Sequence, residues 1–120
     1  MSDDKSNPLL RLQHEMAVFA EERDWDKFHT PKNLAMALSG EVGELTELFQ
    51  WLTSEQSFTL HEHNNEALSD ELADIMLYLL RLADKCNIDI ETACDRKIEK
   101  NRIKYPIEKC YGSAKKYDQL

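Results

Sequence analysis

Two leucine-rich stretches set the strongest limit on what this chain can become. Leu34, Leu38, Leu45, Leu48, Phe49 and Leu52 recur three or four residues apart, and Leu68, Leu72, Ile75, Met76, Leu79, Leu82 and Ala83 repeat the pattern. That is the period of one helix face, not of a strand. A shorter stripe of Leu9, Leu12, Met16 and Phe19 precedes them. Asn7-Pro8 and Thr30-Pro31 each join an N-capping side chain to a proline suited to the first helical position. They predict one helix over about 8–23 and another from Pro31 to Trp51 or Leu52. A third helix is expected over about 66–86, and Asp89 caps a fourth over about 90–104 that Pro106 stops. Residues 24–29 break the period as an aromatic-rich loop, and the polar segment 53–65 reads as a second loop. Only 3 Gly and 3 Pro occur in 120 residues, too few turn-formers for a sandwich or barrel of short strands. The expected architecture is all-α and four-helix-bundle-like. It has a disordered tail at 1–7, a helical domain at 8–106 and a mostly irregular basic tail at 107–120.

Charge narrows the function. Fifteen Lys and Arg against 23 Asp and Glu leave a net charge of −8. Phosphate-backbone binding needs a basic face, so no nucleic-acid partner is expected. The charge is uneven: residues 1–95 carry 7 basic and 20 acidic side chains, and residues 96–120 carry 8 basic and 3 acidic. An acidic body with a basic end suits a place where cations and phosphates meet, and equally a solvated surface with a basic tail. Three cysteines, Cys86, Cys94 and Cys110, form no CxxC and imply neither a disulfide framework nor a zinc site. A reducing cytoplasm is the expected compartment. Met1 to Pro8 is polar and acidic with no apolar signal segment, and no membrane partner is expected.

The chemistry lies in two acidic doublets. Gly40-Glu41-Val42-Gly43-Glu44 sits on the second helix and Glu71-Leu72-Ala73-Asp74 on the third. Each doublet has i, i+3 spacing, hence one face and neighbouring turns. On an idealised wheel with Leu34 at zero, Glu41 falls at about −20°, inside an apolar arc from about −40° to about 80°, with Glu44 at about −80° on its edge. With Leu68 at zero, Glu71 falls at about −60° and Asp74 at about −120°. When the helices pack, four acids can converge at the core margin. One E-x-x-E is ordinary on a solvated helix; two matched pairs encroaching on apolar faces are not. Clustered, partly desolvated carboxylates repel unless protonated or bridged by cations. Oxygen-only ligands favour Mg²⁺, with Mn²⁺ as a substitute, and Mg²⁺ commonly completes its shell with water and substrate phosphate. A di-iron bundle would need Glu-x-x-His, which is absent.

Around these acids lie Trp25, Phe28 and His29 before the second helix, Trp51 seven residues after Glu44, and Tyr78 seven after Glu71. Such rings either fill the core or stack on a nucleobase. Lys97, Asn101 and Lys104 share a face of the fourth helix, either solvated or turned to phosphates. His61-Glu62-His63 lies in a polar segment and reads as chance. There is no Gly-rich phosphate loop, no Gly-x-Ser-x-Gly and no nucleophile triad, so covalent catalysis has no candidate.

Several runs together form a longer pattern: Phe19-Ala-Glu-Glu-Arg-Asp-Trp25, Phe28-His29, Pro31-Lys-Asn-Leu34, Gly40 to Trp51, Glu71 to Tyr78, Lys97-x-x-x-Asn101-x-x-x-Tyr105-Pro106, Gly112-Ser113 and Lys116-Tyr117. It resembles the MazG-like all-α NTP pyrophosphatases, and within them the dCTP pyrophosphatase branch, over residues 9–120. The resemblance implies Mg²⁺ bound by Glu41, Glu44, Glu71 and Asp74. It implies a nucleotide surrounded by the loop Trp25, Asp26, Lys27, Phe28 and His29 together with Trp51 and Tyr78. It also implies cleavage between the α- and β-phosphates by a homodimer, or by a tetramer of two dimers, that cleanses the nucleotide pool. In the mechanism expected on this basis, Glu41 or Glu44 handles the attacking water, and Lys97 with its basic neighbours and Asn101 faces the departing diphosphate. Met16 stands where the animal dCTP enzymes carry a substrate-contacting histidine, and the loop between the acid motifs is slightly shorter. Both departures imply a bacterial relative with broader dNTP use. Two alternatives stay open: a non-catalytic nucleotide-sensing helical module, and a dUTP- or modified-base-specific enzyme on the same scaffold.

Overall fold

The computed structural model describes residues 7–115 and 117–119. Every regular element among them is helical: α1 (Pro8–Glu22), a 3-10 turn (Asp26–Phe28), α2 (Pro31–Phe49), α3 (Ser54–Ser57), α4 (Leu60–His63), α5 (Asn65–Lys85), α6 (Ile90–Lys104), α7 (Ile107–Cys110) and a second 3-10 turn (Tyr117–Gln119). Of the tail expected at 1–7, residues 1–6 lie outside the described residues.

The helix starts follow the side chains that cap them. Asn7 Oδ1 accepts from the backbone N–H of Leu9 and Leu10, Thr30 Oγ1 from Asn33, and Asp89 Oδ1 from Thr92. Each satisfies a donor that the first helical turn leaves without a partner. Both α1 and α5 end in a left-handed residue that is not glycine, Asp24 (φ 54°) and Asn87 (φ 55°). Behind them Trp25 N–H bonds back to the Ala20 carbonyl at 2.8 Å and Ile88 N–H to that of Ala83 at 2.9 Å. This 6→1 closure reverses the chain and satisfies late carbonyls, and Asp and Asn are among the few side chains that tolerate it.

The segment 53–65 differs from the loop expected there. Thr53 and Gln56 form a reciprocal capping box that starts α3, and α4 follows. The Thr-x-x-Gln spacing supplies both caps locally, so even polar residues hold a turn of helix. The segment after Pro106 likewise contains α7, with Pro106 itself at the N-cap.

The chain divides into two units, 1–88 and 89–120. In the first, α5 is central and packs against α1, α2 and α4. Ala20, Leu34, Leu80 and Ala83 are the fully buried apolar residues among those described. Gln13 of α1 donates to the Leu80 carbonyl at 2.9 Å, tying α1 to α5. The second unit holds α6, α7 and the closing 3-10 turn. No described helix is long and apolar enough to cross a membrane.

Candidate active site

Burial along α2 shows why an acid sits among leucines. Leu34 is buried, and Leu38, Glu41, Leu45 and Leu48 follow it as half-buried residues, while Glu44 is exposed. On α5 the half-buried series Leu68, Glu71, Ile75, Tyr78 and Leu82 repeats this, with Asp74 exposed. One acid of each doublet therefore occupies a core-facing position and the other the adjoining rim. Because α2 packs on α5, Glu41, Glu44 and Glu71 each bring one carboxylate oxygen within 4.8 Å of the others.

The electrostatics of this cluster are strained. Glu41 Oε2 and Glu71 Oε2 are out of contact with solvent and have no hydrogen-bond partner. Glu71 is pushed up to about 7 by the adjoining Glu41 carboxyl, by burial and by Glu44. Contact with Glu71 holds Glu41 down, but burial, Glu44 and the Asp74 charge outweigh it, and Glu41 is also raised. Carboxylates meeting without donors share protons or are bridged by a cation. An all-oxygen donor set with two orphaned oxygens fits a hard divalent ion and gives zinc no nitrogen or sulfur ligand.

Beside the cluster lies a cavity of about 330 Å³ lined by Met16, Phe19, Trp25, His29, Asp74, Leu77 and Tyr78. Asp74 thus joins the two: it contributes to the cavity wall and its charge acts on Glu41. Trp25 is aimed by the end of α1. The reversal at Asp24 folds its indole back on Phe19, with ring centroids 5.8 Å apart at 72°. Such a contact commonly accompanies this type of helix ending, and the edge-to-face geometry is a favoured one for aromatic pairs.

His29, on the cavity wall, is anchored by a residue that periodicity alone did not single out. Arg81 of α5 has a side chain only 4% exposed. It donates from Nη2 to Asp26 Oδ1 at 2.6 Å, from Nη1 to Asp84 Oδ2 at 3.2 Å and from Nε to His29 Nδ1 at 3.1 Å. Lys85 Nζ adds a second contact to Asp26 at 2.5 Å. Lys85 and Arg81 hold Asp26 below the ordinary carboxylate range, although burial opposes them. Burial and the Arg81 charge hold His29 below its ordinary value, with Asp26 opposing. Asn33 completes the anchoring by donating to the Phe28 carbonyl at 3.0 Å.

Of the residues proposed from sequence, Glu41, Glu44 and Glu71 meet, and Trp25, His29, Asp74 and Tyr78 line the cavity. Asp26 serves the anchor. Lys27 and Phe28 are exposed on the 3-10 turn, with Lys27 Nζ 5.3 Å from the Phe28 ring centroid. Trp51 is not on the cavity wall and is 87% exposed. The helix that would have carried it on the Glu44 face ends at Phe49. Lys97 and Asn101 lie on α6 in the second unit. His61 and His63 form no metal-binding group with other described residues. Phe19, Leu77 and the Arg81 anchor are additions. The signal for Arg81 was a lone cation inside the run Leu79-Leu80-Arg81-Leu82-Ala83, where an unpaired charge is costly to bury.

The wider comparisons point the same way. The model of the MazG-like family matches residues 36–120. Bovine (Bos taurus) dCTP pyrophosphatase 1 is 48% identical over 120 residues, spanning 96% of this chain and 70% of that protein. The human (Homo sapiens) dCTP pyrophosphatase 1 is 45% identical over 108 residues, 87% of this chain and 62% of that protein. The crystal structure of a pyrophosphatase from Archaeoglobus fulgidus superposes with a TM-score of 0.79 at 42% identity, covering 83% of this chain and 94% of that one. An all-helical fold, carboxylates gathered across α2 and α5, and a family match that includes both doublets lead to one conclusion: the chain belongs to the MazG-like family.

Proposed function

We propose that this chain is a Mg²⁺-dependent nucleoside triphosphate pyrophosphohydrolase. It converts a (d)NTP and water to the (d)NMP and diphosphate, with dCTP or a related dNTP as substrate. The observation that carries this reading is the meeting of Glu41, Glu44 and Glu71, with two oxygens lacking any donor, beside an aromatic-lined cavity of about 330 Å³. The named activity of the bovine and human relatives and of the archaeal structure supports it.

In this mechanism Glu41, Glu44, Glu71 and Asp74 would hold the divalent ion. When bound, such an ion supplies charge against the triphosphate oxygens. Trp25 and Tyr78 hold base and sugar in the cavity. Water attacks the α-phosphorus as the bond to the bridging oxygen breaks, and Glu41 or Glu44 accepts the proton that water loses. Diphosphate leaves with the bridging oxygen. Met16 offers the cavity a thioether in place of a hydrogen-bonding side chain, which supports a base range wider than dCTP alone.

The working form is a homo-oligomer, a dimer or two dimers, acting in the cytoplasm. Apolar side chains that the described chain leaves open, among them Met36, Leu72 and Met76, support association. Trp51, so exposed here, is then available to the nucleotide of a neighbouring copy. The deciding experiment is diphosphate release from a panel of dNTPs with and without Mg²⁺. Release restricted to Mg²⁺-containing reactions is expected. Nucleotide binding without release would make the chain a sensor, and release from dUTP alone would make it a dUTP enzyme.

A further inference from the structure

Met16, Phe19, Trp25, Leu77 and Tyr78 give the cavity wall mainly apolar and aromatic surface. A flat base can stack there, but stacking does little to distinguish one base from another. Asp74 is charged, which leaves the Tyr78 hydroxyl, the Trp25 indole N–H and the His29 imidazole as the neutral polar groups on this wall, and of these His29 is the one whose ring is tied to Arg81. An imidazole is an ambiguous reader, because either nitrogen can carry the proton. Here the ambiguity is removed. Arg81 Nε–H can only donate, so His29 Nδ1 must accept, and the ring's proton is forced onto Nε2.

The clamp is rigid because each of its parts is held. The Arg81 side chain is buried, and its two remaining nitrogens are engaged by Asp26 and Asp84. Lys85 shares Asp26. Thus α5 fixes both ends of the short segment 26–29. No acceptor for His29 Nε2–H exists among the described residues. The imidazole can therefore offer a ligand one hydrogen-bond donor and no acceptor.

We propose that Arg81 is a specificity-positioning residue that locks His29 as a one-sided donor, so that the cavity selects a nucleobase edge presenting a carbonyl or ring-nitrogen acceptor. The inference rests on the nucleotide reading given above and deepens it. Arg81 does not touch substrate; it acts through His29.

Two measurements test it independently of each other. The first is the two-bond ¹H–¹⁵N imidazole spectrum of the Mg²⁺-loaded protein at pH 7.5, with His29 assigned by its loss in His29→Gln. The expected pattern is an unprotonated Nδ1 and a protonated Nε2. A protonated Nδ1 overturns the proposal, whatever the enzyme turns over. The second compares dCTP with 2-deoxyribose 5-triphosphate, which has no base. Arg81→Met should raise KM for dCTP about tenfold with kcat changed less than about threefold, and leave KM for the baseless compound unchanged. Equal loss toward both compounds would mean a merely structural Arg81 and overturns the proposal. If Arg81→Met does not fold, His29→Gln and His29→Leu carry the test. Gln keeps an N–H near the Nε2 position and should stay within about threefold in KM, whereas Leu should lose about tenfold for dCTP alone. Equal effects of Gln and Leu overturn the proposal. Absence of diphosphate release from every dNTP in the wild-type protein would instead overturn the nucleotide reading, with the tautomer result still standing on its own.

Discussion

Glu41 and Glu71 face one another across the α2–α5 contact, and each turns an Oε2 atom away from solvent toward no hydrogen-bond donor. Two such groups do not help a metal-free protein fold. They are compatible with stability only through shared protons or a bound cation. Glu41→Gln is therefore expected to separate folding from function. Mg²⁺-dependent diphosphate release should fall at least about a hundredfold, as for loss of a group acting on the reacting atoms. The metal-free melting temperature should match or exceed that of the wild type, since one repelling charge is gone. Circular dichroism melts in EDTA together with a diphosphate assay check both; retained activity would remove Glu41 from the mechanism.

The same pair sets a pH dependence. Glu71 in the folded protein is raised from 4.5 to about 7. A folded-state value above the unfolded one means that the native protein binds more protons, so its contribution is present at low pH and is lost as pH rises through the folded value. The Glu71 contribution to metal-free stability should thus decline between about pH 5 and pH 7 and level off above that. His29 shifts the other way. Its lowered value makes stability rise with pH up to its unfolded value of 6.5 and then stay constant. The clean measurement is the wild type minus Glu71→Gln, which cancels His29. That difference in melting temperature should decline from pH 5 to pH 7; a flat difference would contradict the shift.

Metal binding should run the same titration backwards. Bridging carboxylates must be ionised, so Mg²⁺ binding at pH 6.5 should release close to one proton, falling toward zero at pH 8.5. Calorimetry in two buffers of different ionisation enthalpy reads this directly. Mg²⁺ should also raise the melting temperature, and EDTA should reverse the rise.

Much of this site is a consequence of helical periodicity. Glu41 sits in the Leu34–Leu38–Leu45–Leu48 series and Glu71 in the Leu68–Ile75–Leu82 series, so the wheel placed both at the core margin and the packing of α2 on α5 joins them. The Arg81 clamp was not legible in that way. Its partners Asp26 and His29 lie 55 and 52 residues away, and no local period relates them. Trp51 lies off the cavity wall of its own chain for a different reason. A face argument holds only while the helix continues, and α2 stops at Phe49. The α3 turn was written in the Thr53–Gln56 capping spacing, a stronger signal than the polarity that suggested a loop.

The end of α5 offers a test of backbone conformation alone. Asn87 holds φ at 55° while its N–H reaches the Asp84 carbonyl. Glycine takes this conformation without steric cost, whereas a β-branched residue does not. Asn87→Gly should leave stability within about 0.5 kcal/mol of wild type or slightly above it, and Asn87→Val should lower it by about 1–2 kcal/mol. Urea titrations at fixed pH and Mg²⁺ check both. Equal effects of Gly and Val would mean that the left-handed turn is not what closes the helix.

The described chain leaves apolar surface open on α2 and α5. Met36 is 64% exposed and Leu72 52% exposed, although Leu72 belongs to the α5 apolar stripe read from sequence. A chain of 120 residues buries a limited share of its surface, and apolar stripes wider than its own core are satisfied by association. Leu72 also lies beside Glu71, so an interface there would form at the edge of the acid cluster. Multi-angle light scattering at micromolar concentration should report a dimer or larger species. Leu72→Glu should shift it toward monomer and lower the melting temperature in a concentration-dependent way, because an obligate interface links stability to protomer concentration. A wild-type monomer under these conditions would overturn the oligomeric reading while leaving the carboxylate cluster and the cavity within one chain untouched.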